Sequence, residues 1–434
     1  MGHLTGKDLY GRLGQTIDSL DMRAPWNEHL SNILRELYTD EEAELIVRMT
    51  YAPATFKRLL RVTGYPEVKL RTLLERLCQK GLVMDLWIEG EYRYWISPLM
   101  IGIFEFTMMR TEPGLNTRQW ARMFYDYFEH DEAFYAANSP EDGRFSFVRA
   151  LPHEEALAGY VEILDYERAA SIVDSADKMA IGLCSCRHEK DHLGNRQCDT
   201  PTHTCASFGV AADYLIRHGM AQEVDRAAML DNLAISKTLG LVLEADNVRE
   251  NVRFICQCCA CCCNVLLAFR RYGYSNFLVT SNYIARVDAS ACQGCGLCAQ
   301  ACPIEAIRLA PNPEGTEPEM RPEVDAAICL GCGVCALKCP TNALRLVARE
   351  KRIFTPESNF ERAVLQSLER GTLQNLVLDH PASGTQTFLR GLIGAFLKCS
   401  PVKRALMSDL FRSVFLKSMH AGVKLVGKGW ATRV

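Results

Sequence analysis

No stretch of about 18 uninterrupted apolar residues occurs in this 434-residue chain, so a transmembrane helix is not expected. Residues 1–20 show no basic region followed by an apolar core, so a secretory leader is not expected either, and the reading is a cytoplasmic protein. There is no phosphate-cradling G-x-x-x-x-G-K-[ST] run, no strand–G-x-G-x-x-G–helix unit and no nucleophile elbow. No catalytic residue is therefore assigned, and a flavin or substrate would belong to another subunit. An excess of charge of one sign is also missing: the formal net charge is −3, which does not indicate a general nucleic-acid binder. With 48% hydrophobic and 23% charged residues, global disorder is excluded.

What the chain does have is cysteine, 20 in all, of which only Cys78 and Cys399 lie outside the stretch from Cys184 to Cys339. A secreted disulfide scaffold would spread its cysteines through a short chain. Dense thiols within one part of a long chain point to metal ligation instead.

The chemistry is carried by a repeat. Residues 287–310 (VDASACQGCGLCAQACPIEAIRLA) and 324–347 (VDAAICLGCGVCALKCPTNALRLV) are offset by 37 and identical at 14 of 24 positions. Each contains C-x2-C-x2-C-x3-C-P: Cys292, Cys295, Cys298, Cys302 and Pro303, then Cys329, Cys332, Cys335, Cys339 and Pro340. Two-residue gaps let one tight loop present three thiols to the corners of a small iron–sulfur core. Gly294, Gly296, Gly331 and Gly333 supply the permissive backbone and leave room for inorganic sulfide. Proline turns the chain away after the fourth cysteine.

Residues 283–349 resemble the bacterial two-cluster ferredoxins, whose spacing this is. The resemblance implies that Cys292, Cys295, Cys298 and Cys339 hold one [4Fe-4S] cluster and that Cys329, Cys332, Cys335 and Cys302 hold the other. Zinc sites show paired C-x2-C knuckles rather than two full runs in tandem. The linker 311–322, with four prolines and three glutamates, is expected to be an exposed loop or lid.

Ten cysteines remain: Cys184, Cys186, Cys198 and Cys205, then Cys256, Cys258, Cys259, Cys261, Cys262 and Cys263. Neighbouring side chains diverge on any regular backbone, so six thiols in eight residues cannot all reach one mononuclear metal. They fit one or two further Fe–S clusters, cubane or larger. The alternative is a structural zinc site of Cys184, Cys186, Cys198 and Cys205, with His188, His192 and His203 as further candidates. The segment resembles the cysteine-rich middle of multi-cluster ferredoxin-like proteins from anaerobic bacteria. Arg187 is either a donor to a cluster sulfide or a solvent-facing residue.

Around these sites the chain reads as an α+β multidomain protein: an N-terminal region 1–98, a helical region 99–180, a cysteine-rich Fe–S domain 181–282, the ferredoxin domain 283–349 and a basic helical tail 350–434. Residues 1–33 are weakly patterned. Thr39, Thr55 and Pro66 then open three short helices, the last two stopped by Gly64 and Gly81, and strands 82–88 and 92–96 follow. Three helices and a hairpin over residues 34–98 resemble a winged helix-turn-helix module. Residues 57–80 carry a net charge of +5, either a solvated docking face or a phosphate-tracking surface. The aromatics between Phe104 and Tyr135 are expected to form core. Residues 139–152 are expected to be a loop and 154–178 a helix. Residues 386–434 carry nine Lys or Arg against Asp409 alone, with apolar residues at helical spacing, and read as a pair of cationic amphipathic helices.

Low-potential electron transfer as donor or conduit subunit of an oxidoreductase is the favoured function, with a redox partner protein implied. Alternatives are a redox-sensing regulator binding DNA through the winged helix and a reductase with a catalytic cluster in the cysteine-rich domain. The basic tail is expected to pack on the body of the protein or dock an acidic partner, with peripheral contact to an anionic membrane as the alternative.

Overall fold

The computed structural model describes residues 2–130, 132–139, 145–273, 277–311 and 320–433. Residues 1–33, weakly patterned in sequence, are largely two helices, Gly2–Asp18 and Glu28–Leu37. The second is opened by the Asn27 side chain accepting from the Leu30 N–H. Asp40–Arg48 follows with a full capping box, Thr39 and Glu42 each satisfying the other's backbone N–H. Phe56–Thr63 is stopped by Gly64 at φ +69°, and Glu67–Gln79 completes the set. Strand β1 (Ala54–Thr55) pairs with β3 (Glu91–Ile96), which pairs with β2 (Val83–Ile88). The β2–β3 turn is only Glu89-Gly90, both at positive φ, one residue tighter than the sequence suggested.

The aromatics between Phe104 and Tyr135 do pack as core. Phe104, Phe124, Phe128, Phe134 and Tyr135 meet edge-to-face at centroid separations of 5.1–5.4 Å along the chain of contacts. They join an apolar cluster that runs without interruption from Tyr10 to Leu346.

A seven-stranded sheet forms the middle of the molecule: β4 (Val148–Leu151), β5 (Met179–Leu183), β6 (His203–Phe208), β7 (Ala221–Glu223), β8 (Val242–Asp246), β9 (Phe254–Cys258) and β10 (Leu278–Val279). Its order is β10-β4-β8-β9-β6-β5-β7, antiparallel except for β10 beside β4. Two expectations are corrected here. The stretch 139–152 is not simply a loop, because Val148–Leu151 is a strand buried on both faces (Pro140 and Gly143 lie outside the described residues). β4 is interior to the sheet, between β10 and β8. Residues 154–178 are not one helix: two short 3-10 turns precede the helix Ala169–Ser175, because Gly159 and the acidic stretch after it break the period.

The ferredoxin region pairs β11 (Tyr283–Val287) with β14 (Leu344–Ala348) and β12 (Ile307–Pro311) with β13 (Met320–Val324). The expected exposed linker 311–322 thus has strand at both ends. Residues 312–319 lie outside the described ones.

After β14 the chain is not all tail. Helix Asn359–Arg370 is buried, with Arg362 stacked 3.8 Å from the Phe147 ring centroid and paired to Asp246 at 3.4 Å. Beyond it come three helices rather than two, Gly384–Lys398, Ser400–Met407 and Asp409–Leu425, because Pro401 and Ser408 each start a new one. No helix among the described residues is long and apolar enough to cross a membrane.

Candidate metal centres

Strand alternation places the central thiols. On β9 the register sets Ile255 opposite Ala206 of β6 and Ala245 of β8, and Cys256 opposite Glu244. Ala206, Leu243, Ala245 and Ile255 therefore face one way, into an apolar core under helices Ala169–Ser175 and Arg226–Leu239. Cys205, Glu244, Cys256 and Cys258 face the other way, into a chamber of about 170 Å³.

Two helix starts complete that chamber. Cys184 is the N-cap of Ser185–Leu193, with Cys186 in its first turn, and Cys263 is the N-cap of Asn264–Tyr272. Helix N-termini favour thiolate. The two helices are stitched by a buried network in which Lys190 Nζ donates to Glu189 and Asn264, and Asn264 Nδ2 donates to Glu189, each at 3.0 Å. Eight thiols line this space: Cys184, Cys186, Cys205, Cys256, Cys258 and Cys263, together with Cys259 and Cys262. Cys205, Cys256, Cys258, Cys263 and Cys186 touch in a chain. Thiols of Cys205 and Cys258 hold Cys256 well below the usual thiol range, and those of Cys186 and Cys258 do the same for Cys263.

Two acids that sequence reading passed over join them. Burial pushes Glu105 up to about 8 and Glu244 well above the carboxylate range, the latter helped by Cys263 and Cys256. Glu244 and Asp246 both lie in the fully buried strand Val242–Asp246, which was a signal: acids within an apolar run need a function or a partner. Met84, Leu86, Trp95, Met100, Ile101 and Phe106 give the chamber an apolar wall, while Arg187, Asp246, Arg253 and Arg362 also line it.

Cys259 and Cys262 also belong to a second, tighter group with Cys198 and Cys261. Cys198, Cys259, Cys261 and Cys262 lie mutually within 4.8 Å. The zinc set considered from sequence is therefore not assembled: Cys198 leaves Cys184, Cys186 and Cys205, because the loop carrying it folds onto the 259–262 turn. His188 and His192 bond each other (2.9 Å), and His188 Nδ1 bonds the Met108 carbonyl (2.6 Å). His203 is exposed. Arg187 is not solvent-facing. It is 1% exposed, donates to the Pro201 carbonyl at 3.1 Å, to Thr204 Oγ1 at 2.6 Å and to the Gln257 carbonyl, and lies against Cys184 and Cys259.

The repeat builds two further pockets. One is walled by Cys292, Cys295, Cys298 and Cys339 with Gly294 and Gly296; the other by Cys302, Cys329, Cys332 and Cys335 with Gly331 and Gly333. Each run sends its fourth cysteine to the other pocket. Backbone conformation repeats with the sequence: Gly294 and Gly331 both have φ +66°, and Glu305 and Asn342, the same offset apart, are both at positive φ. A Cβ on Gly331 would strike the Tyr283 carbonyl and Ser281 Oγ, and one on Gly294 the Met320 carbonyl. Amides point at sulfur: Gly294 N–H to Cys292 Sγ at 3.5 Å and Ala306 N–H to Cys302 Sγ at 3.2 Å. Soft thiolates, inward amides and no room for a side chain fit an iron–sulfur core. Cys295 is exposed while Cys329, Cys332 and Cys335 are buried, so the two cages sit in different dielectric surroundings.

His153 joins this region to the middle thiols. Its N–H donates to the Cys332 carbonyl at 2.9 Å, its Nε2 bonds the Leu241 carbonyl at 2.8 Å, and Leu241 packs on Cys259 and Cys262.

The basic residues of 57–80 are largely spent within the chain: Lys69 on Glu41 and Lys80 on Glu42 at 2.7 Å, Arg58 on Asp379 at 2.6 Å. The hairpin that would be a wing packs through Leu86 and Ile88 against Tyr214 and Leu215, with Asp85 held by Arg217 (2.9 Å) and His218 (2.8 Å).

No curated protein and no solved structure matches the chain. Residues 291–343 match the family model of the 4Fe-4S dicluster domain, so the stretch that carries the two cysteine runs is an Fe–S ferredoxin-like segment and the chain is a metal-binding iron–sulfur protein.

Proposed function

We propose that the chain carries low-potential electrons as a donor or conduit subunit of an oxidoreductase, through two [4Fe-4S] clusters and a further Fe–S cluster in the thiol-lined chamber. The observation that carries this reading is the crossed grouping of the repeat's thiols. Cys292, Cys295, Cys298 and Cys339 would hold one cluster; Cys302, Cys329, Cys332 and Cys335 the other. Such clusters supply one-electron chemistry. The chain contributes rigid thiolate cages, amide donors to sulfur and burial, which together set the potentials. Proximity supports a relay toward the chamber, since His153 and Leu241 span the gap by two hydrogen bonds and one packing contact.

Anoxic purification with iron and sulfide quantitation tests it. About twelve irons per chain are expected, at four per cubane, with dithionite-reduced material giving signals beyond the two ferredoxin clusters. About nine irons or fewer, two cubanes and at most one further ion, would leave the chamber without a cluster. The apolar wall beside the thiols favours a second reading, reductive chemistry on a small apolar molecule there. Cyanide added to the reduced protein would then alter the additional signal alone.

The winged-helix-like module, its cations paired and its hairpin packed, is read as a docking element rather than a DNA reader. The tail is read as a peripheral anchor. Phe388, Leu392 and Phe396 are 73%, 63% and 62% exposed along one helix face, among the lysines and arginines of a segment carrying +8. Vesicles containing anionic lipid should retain the protein at low salt and release it above about 0.5 M salt, as Debye screening requires. Neutral vesicles should not retain it, and equal retention by both kinds would refute an electrostatic anchor.

A further inference from the structure

We infer that Cys198, Cys259, Cys261 and Cys262 form a mononuclear tetrathiolate site for a single thiophilic divalent ion, zinc or iron, separate from every Fe–S cluster. A metal–sulfur bond of about 2.3 Å places the sulfurs of a tetrahedral site about 3.8 Å apart. The structure shows Cys198 Sγ 3.6 Å from Cys259 Sγ and 3.9 Å from Cys262 Sγ, and Cys261 Sγ 3.5 Å from Cys262 Sγ. In a cubane each thiolate binds its own iron and stands outside the core, so its four ligands must be more widely spread. The same chain provides the comparison: among the described residues, no three thiols of either ferredoxin cage come within 4.8 Å of one another, whereas all four of this group do.

The surroundings are those of a built site. The 259–262 turn is closed by the N–H groups of Cys262 and Cys263 donating to the Cys259 carbonyl. Opposite it, Arg196 holds the loop that carries Cys198, donating from Nε to the Cys198 carbonyl at 2.7 Å and pairing with Asp191 at 2.8 Å. Four thiolates on a divalent ion leave a charge of −2, and buried Arg187 stands against Cys259 to offset part of it. All four coordination positions are filled by protein, the arrangement of a closed site. The ion would clip together segments 61 residues apart, the span from Cys198 to Cys259.

Inorganic sulfide decides the matter, because a mononuclear site contains none. Full-length Cys198→Ser and Cys261→Ser proteins, purified anoxically beside the wild type, should each lose one zinc or one iron per chain with acid-labile sulfide unchanged. A loss of zinc identifies a structural clip; a loss of one iron identifies a redox-active ion between the ferredoxin cages and the chamber. Loss of about four irons with four sulfides, or no metal loss in either variant, overturns the inference. Where a variant fails to fold, wild-type protein produced with added cobalt should show the visible bands of tetrahedral Co–thiolate, and their absence counts against the site. The signals of the ferredoxin clusters are expected to persist in both variants, which separates failure here from failure of the electron-transfer reading.

Discussion

Cys302→Ala is expected to abolish the cluster of Cys329, Cys332 and Cys335 and to spare the one beside Cys292, although Cys302 belongs to the first run. The mirror variant, Cys339→Ala, should abolish the cluster of Cys292, Cys295 and Cys298. Each should remove about four irons per chain, or about one if a three-iron core survives, at four irons per cubane. In reduced protein the broad features of two interacting spins should collapse to one simple signal. Cys302→Ala should therefore resemble Cys332→Ala, and Cys339→Ala should resemble Cys295→Ala. The physical ground is the placement of the fourth thiols. The helices Leu297–Ala301 and Val334–Leu337 carry the chain away from its own loop, so that Cys302 and Cys339 arrive in the opposite pockets. If Cys302→Ala instead extinguished the signal that Cys292→Ala extinguishes, the crossed arrangement would be wrong. The difference in burial between the cages adds a readout, since the exposed cage at Cys295 should respond more to ionic strength than the buried one.

Arg187→Met is expected to destabilise the protein by about 3–5 kcal/mol, the range for removing one member of a buried charged network. The side chain is fully enclosed, and two backbone carbonyls and Thr204 would lose their donor. Arg187→Lys should recover less than half of the loss, because one ammonium cannot serve a forked set of acceptors. With several metal centres the chain will not unfold in two states, so the measurement is the thermal midpoint under anoxic conditions, expected to fall by roughly 3–6 °C. A fall of less than about 2 °C would mean that the arginine is not a tie between the 198–204 loop and β9.

Much of the local structure was legible in the residues. Thr39, Thr55 and Gly64 mark helix ends through hydrogen bonds and a left-handed turn that involve only near neighbours, and the structure shows them there. The ferredoxin cages were legible down to their glycines, because a loop of two-residue gaps allows few conformations. The strand Val148–Leu151 was not. Buried on both faces, it shows no alternation, and four residues are too few to separate strand from loop. Helix Asn359–Arg370 was passed over because buried arginines and glutamates gave it a polar reading, while their partners lie far away in sequence.

The residues alone determined that a four-cysteine run recurs at an interval of 37 and that ten more thiols stand nearby, since loop geometry acts over a handful of residues. Only tertiary structure could draw four of those ten close enough for one ion and set the other six around the chamber. Their partition depends on which faces of β6, β8 and β9 come together, on two helix N-termini that converge from separate segments, and on a loop that swings one cysteine to the far turn. Spacing along a chain constrains neighbours; packing chooses between distant ones.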